Sequence, residues 1–483
     1  MYSGLYRRTF LKAAGAAAAG SAVGQTASRP NIVYVLADDL GWGDLHCYNE
    51  ASAVPTPNYD RVAREGVRFT DCHSPSSVCT PTRYGILTGR YCWRSRLKSG
   101  VLQGYDRALI EPGRATAASL LKSAGYSTAA VGKWHLGFGS TEPVDYSRPF
   151  DISPESHGFD YYFGIPASLD FEPYVYVENN RAVEPPTAFT PGLNVPRGVF
   201  WRQGKVAPSF VFEDVLPVVT KKAVSYLGER ARQPEKPFFL YLPLTGPHTP
   251  WLPARAFEGK SRAGIYGDFV AMVDDAVGQV MTALREQGLE QNTLVVLTSD
   301  NGAHWTPEDR ERFAHRSNAY WRGQKADIHD AGHRVPFIAR WPGKIAPGTV
   351  SGQLTCLTDL MATAAEINGV PLKQGEAEDS FSFLAAATGQ AAKAPARTSV
   401  VHHSAQGMFA IRRGEWKLIE GLGSGGFTEP RKATPVPGGP SGQLYNLSAD
   451  AGESDNLYQR RPDMVRELGA ELNGIRTRGR SRN

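Results

Sequence analysis

Cysteine is scarce: five in 483 residues, an odd number (Cys47, Cys72, Cys79, Cys92, Cys356). So thin a set excludes a disulfide framework and leaves at least one thiol in need of another explanation. Long apolar runs are missing too. Past the N-terminus no stretch of about 18 strongly apolar residues occurs, which excludes a multi-span membrane protein. Neither charge sign dominates, since 53 Lys and Arg face 48 Asp and Glu for a net +5. Arg7, Arg8 and Lys12 lie near the N-terminus, and Arg476, Arg478, Arg480 and Arg482 crowd the C-terminus. The body between is near neutral, which excludes a nucleic-acid binder. Balanced charge with 10% aromatic residues also excludes disorder as the main state. At roughly 150 residues per domain, the chain holds two or three domains, or one large α/β domain with an appendage.

What is present begins with a leader. Tyr6-Arg7-Arg8-Thr9-Phe10-Leu11-Lys12 precedes a soft Ala/Gly run over 13–24. A charged start, a short weakly apolar stretch and small residues near a cleavage point form a signal peptide over 1–27. The Arg-Arg-x-Phe-Leu-Lys order resembles a twin-arginine leader, so a periplasmic or secreted destination is expected. An Arg-rich C-terminus reads as a solvated, poorly ordered tail.

Asn31–Ala37 (NIVYVLA) is a continuous apolar, β-branched run, the pattern of a strand buried on both faces. Residues 127–131, 238–242 and 293–298 read the same way. Helical periodicity lies between them at 58–65, 115–124, 216–230 and 267–286. Such alternation predicts an α/β fold, a large mixed, mainly parallel sheet sandwiched by helices. The Gly/Pro-rich stretch 173–208 reads as an exposed excursion. After about residue 385 the texture changes: 408–419 reads as a hairpin around Arg413-Gly414, followed by a Gly/Pro loop and a helix over 462–475. These divisions predict a catalytic domain over 28–385 and a smaller α+β domain over 386–483, with a short antiparallel sheet.

Each apolar strand runs into polar residues: Asp38-Asp39, then Gly132-Lys133-Trp134-His135, then Pro247-His248, then Asp300-Asn301. In open α/β sheets the functional crevice lies beyond the carboxyl ends of the strands, so four such sets converge. Carboxylates with an amide offer only oxygen, the preference of a hard cation such as Ca²⁺ or Mg²⁺. An isolated Asp-Asp or Asp-Asn is more often a cap or turn. Convergence is what favours a site. Cys79-Thr80-Pro81-Thr82-Arg83 opens a helical stretch and ends in Leu87-Thr88-Gly89-Arg90, which gives the odd cysteine a place.

With these motifs the sequence resembles the type I, formylglycine-dependent sulfatases, the arylsulfatase A-like branch of the alkaline phosphatase superfamily. The landmarks run in order from 31 to 343, with a thinner echo at 444–457. They are Ala37-Asp38-Asp39-Leu40-Gly41-Trp42-Gly43-Asp44, Cys79 to Arg90, Gly132 to Gly137, Pro247-His248-Thr249-Pro250, Ser299-Asp300-Asn301-Gly302, and Lys325 ahead of Arg334-Val335-Pro336. Departures are local: Asp330-Ala331-Gly332 stands where Glu-Gly-Gly is usual, and Asn446 and Ala451 stand where Asp and Pro are common. The resemblance implies an alkaline phosphatase-like fold and oxidation of Cys79 to Cα-formylglycine by a maturation enzyme. It implies Asp38, Asp39, Asp300, Asn301 and residue 79 as metal ligands, with Ca²⁺ favoured and Mg²⁺ as the alternative. Arg83 and Lys133 would hold the aldehyde hydrate, His135 would act beside it as base, and His248 and Lys325 would contact the sulfate and its bridging oxygen.

The implied function is hydrolysis of sulfate monoesters, with a sulfated carbohydrate as substrate. Two other functions remain open at this point: a phosphodiesterase or phosphonate monoester hydrolase of the same superfamily, and a noncatalytic glycan-binding descendant. Candidate pocket walls are His304, Trp305, Trp251, Asp170, Arg94 and Arg96, while Trp42 and Trp134 read as packing. His402-His403 resembles a metal pair but lacks carboxylate company in the sequence, and reads as a strand end.

Overall fold

The computed structural model describes Met1 and residues 29–194, 197–390 and 397–482. Apart from Met1, the expected leader lies outside the described residues. We label ten strands in chain order: β1 (Asn31–Ala37), β2 (Val67–Phe69), β3 (Ser127–Lys133), β4 (Tyr161–Ile165), β5 (Val177–Glu178), β6 (Arg181–Ala182), β7 (Phe238–Pro243), β8 (Thr293–Ser299), β9 (Phe337–Arg340) and β10 (Thr349–Ser351). They form one sheet in the order β10-β2-β9-β8-β1-β7-β3-β4-β5-β6. The four strands expected from the apolar runs are its contiguous centre, β8-β1-β7-β3. They are parallel throughout: Val33 pairs with Leu240 and Val295, and Leu240 pairs with Ala129. Every residue of β3, β7 and β8 is buried. That is why these runs show no alternation: neither face meets water.

Helices cover the sheet in two groups. Pro57–Glu65, Val215–Ala231 and Gly264–Glu286 pack together, as do Cys79–Thr88, Ala117–Ser123 and Leu360–Asn368. The fold is the expected mixed α/β sandwich. Among the described residues, no helix is long and apolar enough to cross a membrane, and all five cysteines are free.

A second, antiparallel sheet of four strands follows: β11 (Ser399–His403), β12 (Phe409–Arg413), β13 (Trp416–Ile419) and β14 (Gln443–Asn446). The hairpin turns at Arg413-Gly414 as expected, pairing Arg413 with Trp416. Helix Pro462–Thr477 lays Leu468, Leu472 and Ile475 onto Val400, Ile411, Leu418 and Leu444. Tyr91, Trp93 and Cys356 from the larger part enter the same cluster. The small unit therefore shares its core with the large one.

Two expectations are corrected. The stretch 173–208 is not exposed throughout: Tyr174, Val175 and Val177 are buried, β5 and β6 extend the large sheet, and Arg197 lies over the Trp251 ring at 5.1 Å. It folds back over the sheet because its apolar ends find partners there. The Arg-rich C-terminus is anchored, with Arg476 paired to Glu420 and Arg482 donating to the Glu376 carbonyl.

Candidate active site

The ten motif residues expected to carry chemistry meet at the carboxyl ends of β8, β1, β7 and β3. All are buried. Asp38 and Asp39 follow β1, Asp300 and Asn301 follow β8, His248 follows β7, and Lys133 ends β3 before His135. Cys79 is the first residue of the buried helix Cys79–Thr88, one turn ahead of Arg83. The positive end of that helix is aimed at residue 79, which favours negative charge there.

Three carboxylates and three cations interlock. Lys133 Nζ donates to Asp38 at 2.6 Å, Lys325 Nζ to Asp39 at 2.7 Å, and Arg83 Nη2 to Asp300 at 2.7 Å. Arg83 Nη1 also donates to the Lys133 carbonyl at 2.9 Å. Burial alone would raise all three carboxyls. Lys133, His248 and Arg83 overcome it at Asp38, and Lys325 and His248 at Asp39, so both are held low. At Asp300 burial and the Asp38 charge win, and its pKa is raised. Burial would likewise lower Lys325, but Asp39 above all keeps it raised and charged.

Several atoms are left without partners. Asn301 donates its amide N–H to Asp39 at 2.7 Å while its Oδ1, fully buried, has none. Leaving such an acceptor unpaired is costly, so it points to a group that completes it. Cys79 Sγ lies 3.6 Å from Asp38 Oδ1, and donor atoms of Asp38, Asp39, Cys79 and His248 gather within 4.8 Å of one another. An oxygen-rich set with an orphaned carbonyl oxygen fits a hard divalent cation. His135 Nε2 donates to the Leu102 carbonyl at 2.7 Å, leaving Nδ1 as an unpartnered acceptor. Burial, then Lys133 and Arg83, hold this imidazole neutral. Burial also pushes the Cys79 thiol far up, so an unmodified cysteine is not a thiolate nucleophile here.

Three non-glycine residues at or next to the site have left-handed backbone, as do Asn179, Ala319, Ala377 and Glu453 elsewhere. Asp39, His135 and Ala326 adopt φ of 66°, 58° and 77°, each costing about 1–3 kcal/mol for a non-glycine residue. Gly132, at φ 131°, leaves no room for a side chain: a Cβ would sit 1.9 Å from the Pro243 carbonyl oxygen. Beneath Asp38-Asp39 lies a network the sequence does not announce. Asp44 accepts from Gly41 N at 2.7 Å, His315 Nε2 at 2.8 Å and Tyr266 Oη at 2.5 Å. Only its place within the first motif hints at it.

The wall residues divide. His304 stands half-buried beside the site, and Asp170 approaches His248 Nδ1 at 3.9 Å while Arg202 holds its other oxygen at 2.6 Å. Trp251 and Trp305 are buried, both packed against Tyr266. Arg94 is drawn away by Asp379 and Arg96 by the Arg107 carbonyl, so neither reaches the site. Trp42 packs on Tyr48 and Trp321, and Trp134 on His157 and Phe159, as expected of packing residues. His402 ends β11 but does have carboxylate company, since Asp330 faces it across a buried histidine cluster.

A parallel-centred sheet presenting buried carboxylates and cations at its carboxyl edge suits chemistry on an anionic ester. The comparisons with known proteins narrow the class. Residues 30–370 match the sulfatase family model. An N-acetylgalactosamine-6-O-sulfatase of Bacteroides thetaiotaomicron is 34% identical, over 94% of each chain. Human arylsulfatase A is 34% identical over 92% of this chain and 85% of its own. A 6S-sulf protein, solved in the context of glycosaminoglycan metabolism by B. thetaiotaomicron, superposes with a TM-score of 0.82 at 33% identity. That match covers 93% of this chain and 100% of the other. The chain belongs to the sulfatase family and is a sulfuric ester hydrolase.

Proposed function

We propose that the protein removes sulfate from the 6-position of an N-acetylgalactosamine-type sugar in a glycan, using Cα-formylglycine made from Cys79 by a maturation enzyme. The observation that carries this reading is the placement of Cys79 at a helix start among Asp38, Arg83 and Lys133, the same groups that act on His135, whose Nδ1 is unpartnered. The relatives' names supply the sugar and position to test first. Asp38, Asp39, Asp300, Asn301 and residue 79 would hold the metal, Ca²⁺ rather than Mg²⁺, because the ligands are numerous and all from the protein. The cation supplies charge neutralisation and a lowered pKa for a hydroxyl bound to it. The hydrated aldehyde supplies a nucleophilic hydroxyl and a second, geminal one.

The chain's own residues do the rest. Three carboxylates balance Arg83, Lys133 and Lys325, so a divalent cation leaves net positive charge for an anionic sulfate half-ester. Arg83 and Lys133, whose charges act on residue 79, would hold the aldehyde hydrate there. His135 takes a proton at Nδ1, its tautomer fixed by the Leu102 carbonyl. His248 donates from Nδ1 to the Thr249 carbonyl at 2.6 Å, which directs Nε2 toward Asp39 and the site. Before His135 acts, His248 and Lys325 would bind the bridging oxygen, and one of them would give the departing alcohol its proton. Export through the twin-arginine-type leader would place the enzyme in the periplasm or outside the cell.

The test is turnover by matured enzyme on 6-O- and 4-O-sulfated N-acetylgalactosamine, with an aryl phosphodiester in parallel. Desulfation favouring the 6-sulfate is expected, and phosphodiester turnover exceeding sulfate turnover overturns the reading. Chelation is expected to lower both Tm and turnover, with Ca²⁺ restoring them. Unchanged values overturn the metal assignment.

A further inference from the structure

The long loop between β13 and β14 belongs to the small C-terminal unit, yet part of it docks beside the active site. Ile328 N donates to the Ser424 carbonyl at 2.8 Å. Asp327 Oδ1 accepts from Phe427 N at 2.8 Å and Thr428 N at 3.1 Å, and its Oδ2 from Thr428 Oγ1 at 2.5 Å. Gly426 presses against the backbone of residue 326 so closely that a Cβ would fall 2.3 Å from the Ala326 carbonyl carbon. Only glycine permits that approach. Phe427 is therefore tied through two peptide units to Lys325, whose Nζ is held on Asp39.

So firm an anchorage serves a side chain that stays substantially exposed. Phe427 is 43% exposed, and its ring meets His304 edge-on with centroids 5.5 Å apart. Burial first, then Arg197 and Lys325, keep His304 largely uncharged, its pKa lowered to about 4. Arg197 donates to the His304 carbonyl and pairs with Asp309, fixing the wall from the other side. An anchored, exposed aromatic ring beside an imidazole suits an amphipathic ring: C–H groups against the phenyl, hydroxyls toward His304.

We propose that Phe427 is a specificity-determining residue, the platform for the sugar linked to the sulfated one, so that the C-terminal unit selects glycan chains over isolated sulfated sugars. The inference rests on the sulfated-glycan reading above and adds the recognition of a neighbouring ring. It places the leaving group's next sugar on the face formed by Phe427 and His304, outside the charged pocket.

The experiment compares kcat/KM of matured, metal-loaded enzyme on 6-O-sulfated N-acetylgalactosamine with that on a tetrasaccharide ending in the same sulfated sugar. Wild type is expected to prefer the tetrasaccharide. Phe427→Ala is expected to lower the tetrasaccharide-to-monosaccharide ratio about tenfold, mainly through KM, because an apolar stacking surface is lost. Phe427→Trp is expected to keep the ratio, and melting curves of both variants to match wild type, since the side chain is exposed. A ratio unchanged in Phe427→Ala, or loss of both activities to the same degree, overturns the inference while leaving the sulfatase reading intact. Failure of wild type on both sugars, with aryl sulfate still hydrolysed, overturns the glycan reading and this inference with it.

Discussion

Two buried clusters in this molecule have the same formal charges and opposite characters. In the active site Asp38, Asp39 and Asp300 meet Arg83, Lys133 and Lys325. At the junction with the C-terminal sheet, Asp71, Asp330 and Glu453 meet Arg334, Arg412 and Lys417. There Lys417 reaches Asp330 at 2.9 Å and Glu453 at 2.8 Å, while Arg334 spans Asp330 at 2.8 Å and Asp71 at 2.9 Å. Arg412 closes the ring on Asp71 at 2.5 Å. Histidines fill the remaining gaps: Lys417 donates to His333 Nε2, His333 and His73 meet through their Nδ1 atoms, and His73 Nε2 reaches Asp71, each at 3.0 Å. Among the described residues the junction leaves His402 Nε2 without a hydrogen-bond partner, and Glu453 Oε1 is met by Lys417 as an ion pair. Among the described residues, the active site leaves Asn301 Oδ1, His135 Nδ1 and Asp170 Oδ1 without a hydrogen-bond partner. Charge density does not separate a site from a strut. What separates them is where the unanswered polar atoms gather, which for the active site is the carboxyl ends of parallel strands.

The first prediction breaks the comparison at the active site and carries the largest effect. Cys79→Ser keeps one hydroxyl near the same place but lacks the geminal partner that His135 would deprotonate. Turnover is expected to fall by about 10³ or more, with at most one sulfate taken up per molecule. Steady-state assay with intact-mass measurement of the variant checks this. Sustained turnover near the wild-type rate refutes the aldehyde mechanism. Tm is expected to stay close to that of the unmatured protein, because a buried hydroxyl has Asp38 within reach.

The second breaks the junction. Lys417→Met removes one cation from between Asp330 and Glu453 and leaves both carboxylates facing each other without water. Breaking a buried pair from one side costs about 3–5 kcal/mol. A Tm lower by several degrees is expected, with kcat per folded molecule retained, since Lys417 touches no active-site group. Equal loss of kcat at unchanged Tm would show that the junction is part of the catalytic apparatus.

How far each cluster was legible differs for a physical reason. The active site is written in short local motifs at the ends of strands whose unbroken apolar runs mark them as central. Asp38-Asp39, Lys133 with His135, His248 and Asp300-Asn301 follow their strands directly, so identifying the strands places the residues. Cys79 and Lys325 lie outside that rule and needed the family resemblance. The junction is assembled from His73, His333 and His402, whose pairing depends on elements far apart in sequence: a short strand at Cys72–His73, the helical turn at Asp330–His333, and β11. Nothing in the local pattern of any one of them requires the others. Phe427 sits in a Gly/Pro-rich loop whose composition predicts irregularity and says nothing of its dock on Asp327.

The smallest expected effect sharpens the contrast through pH. Among the described residues, burial holds His73 down to about 4, and His333 and His402 well below their ordinary value. The groups facing them are the anions Asp71 and Asp330 and the cations Arg334, Arg412 and Lys417, and the cations together with burial prevail. In the unfolded chain each histidine would titrate near 6.5. A depressed histidine pKa means that the unfolded state binds more protons as pH falls below about 6.5. Stability is therefore full above that value and declines on acidification, by about 1.4 kcal/mol per pH unit for each such histidine. For His73 the decline ends near pH 4, where the folded state also takes up its proton; for the other two it continues lower. His402→Gln keeps a donor for the Ser74 carbonyl, which His402 Nδ1 meets at 3.0 Å, and removes one titrating group. Between pH 6.5 and 4.5 its unfolding free energy, measured by urea denaturation with Ca²⁺ held constant, is expected to fall with a slope shallower by about 1.4 kcal/mol per pH unit than that of wild type. An unchanged slope would mean that His402 carries its charge in the folded protein. The junction would then hold a fourth cation rather than a neutral ring, and its resemblance in formal charge to the active site would end there.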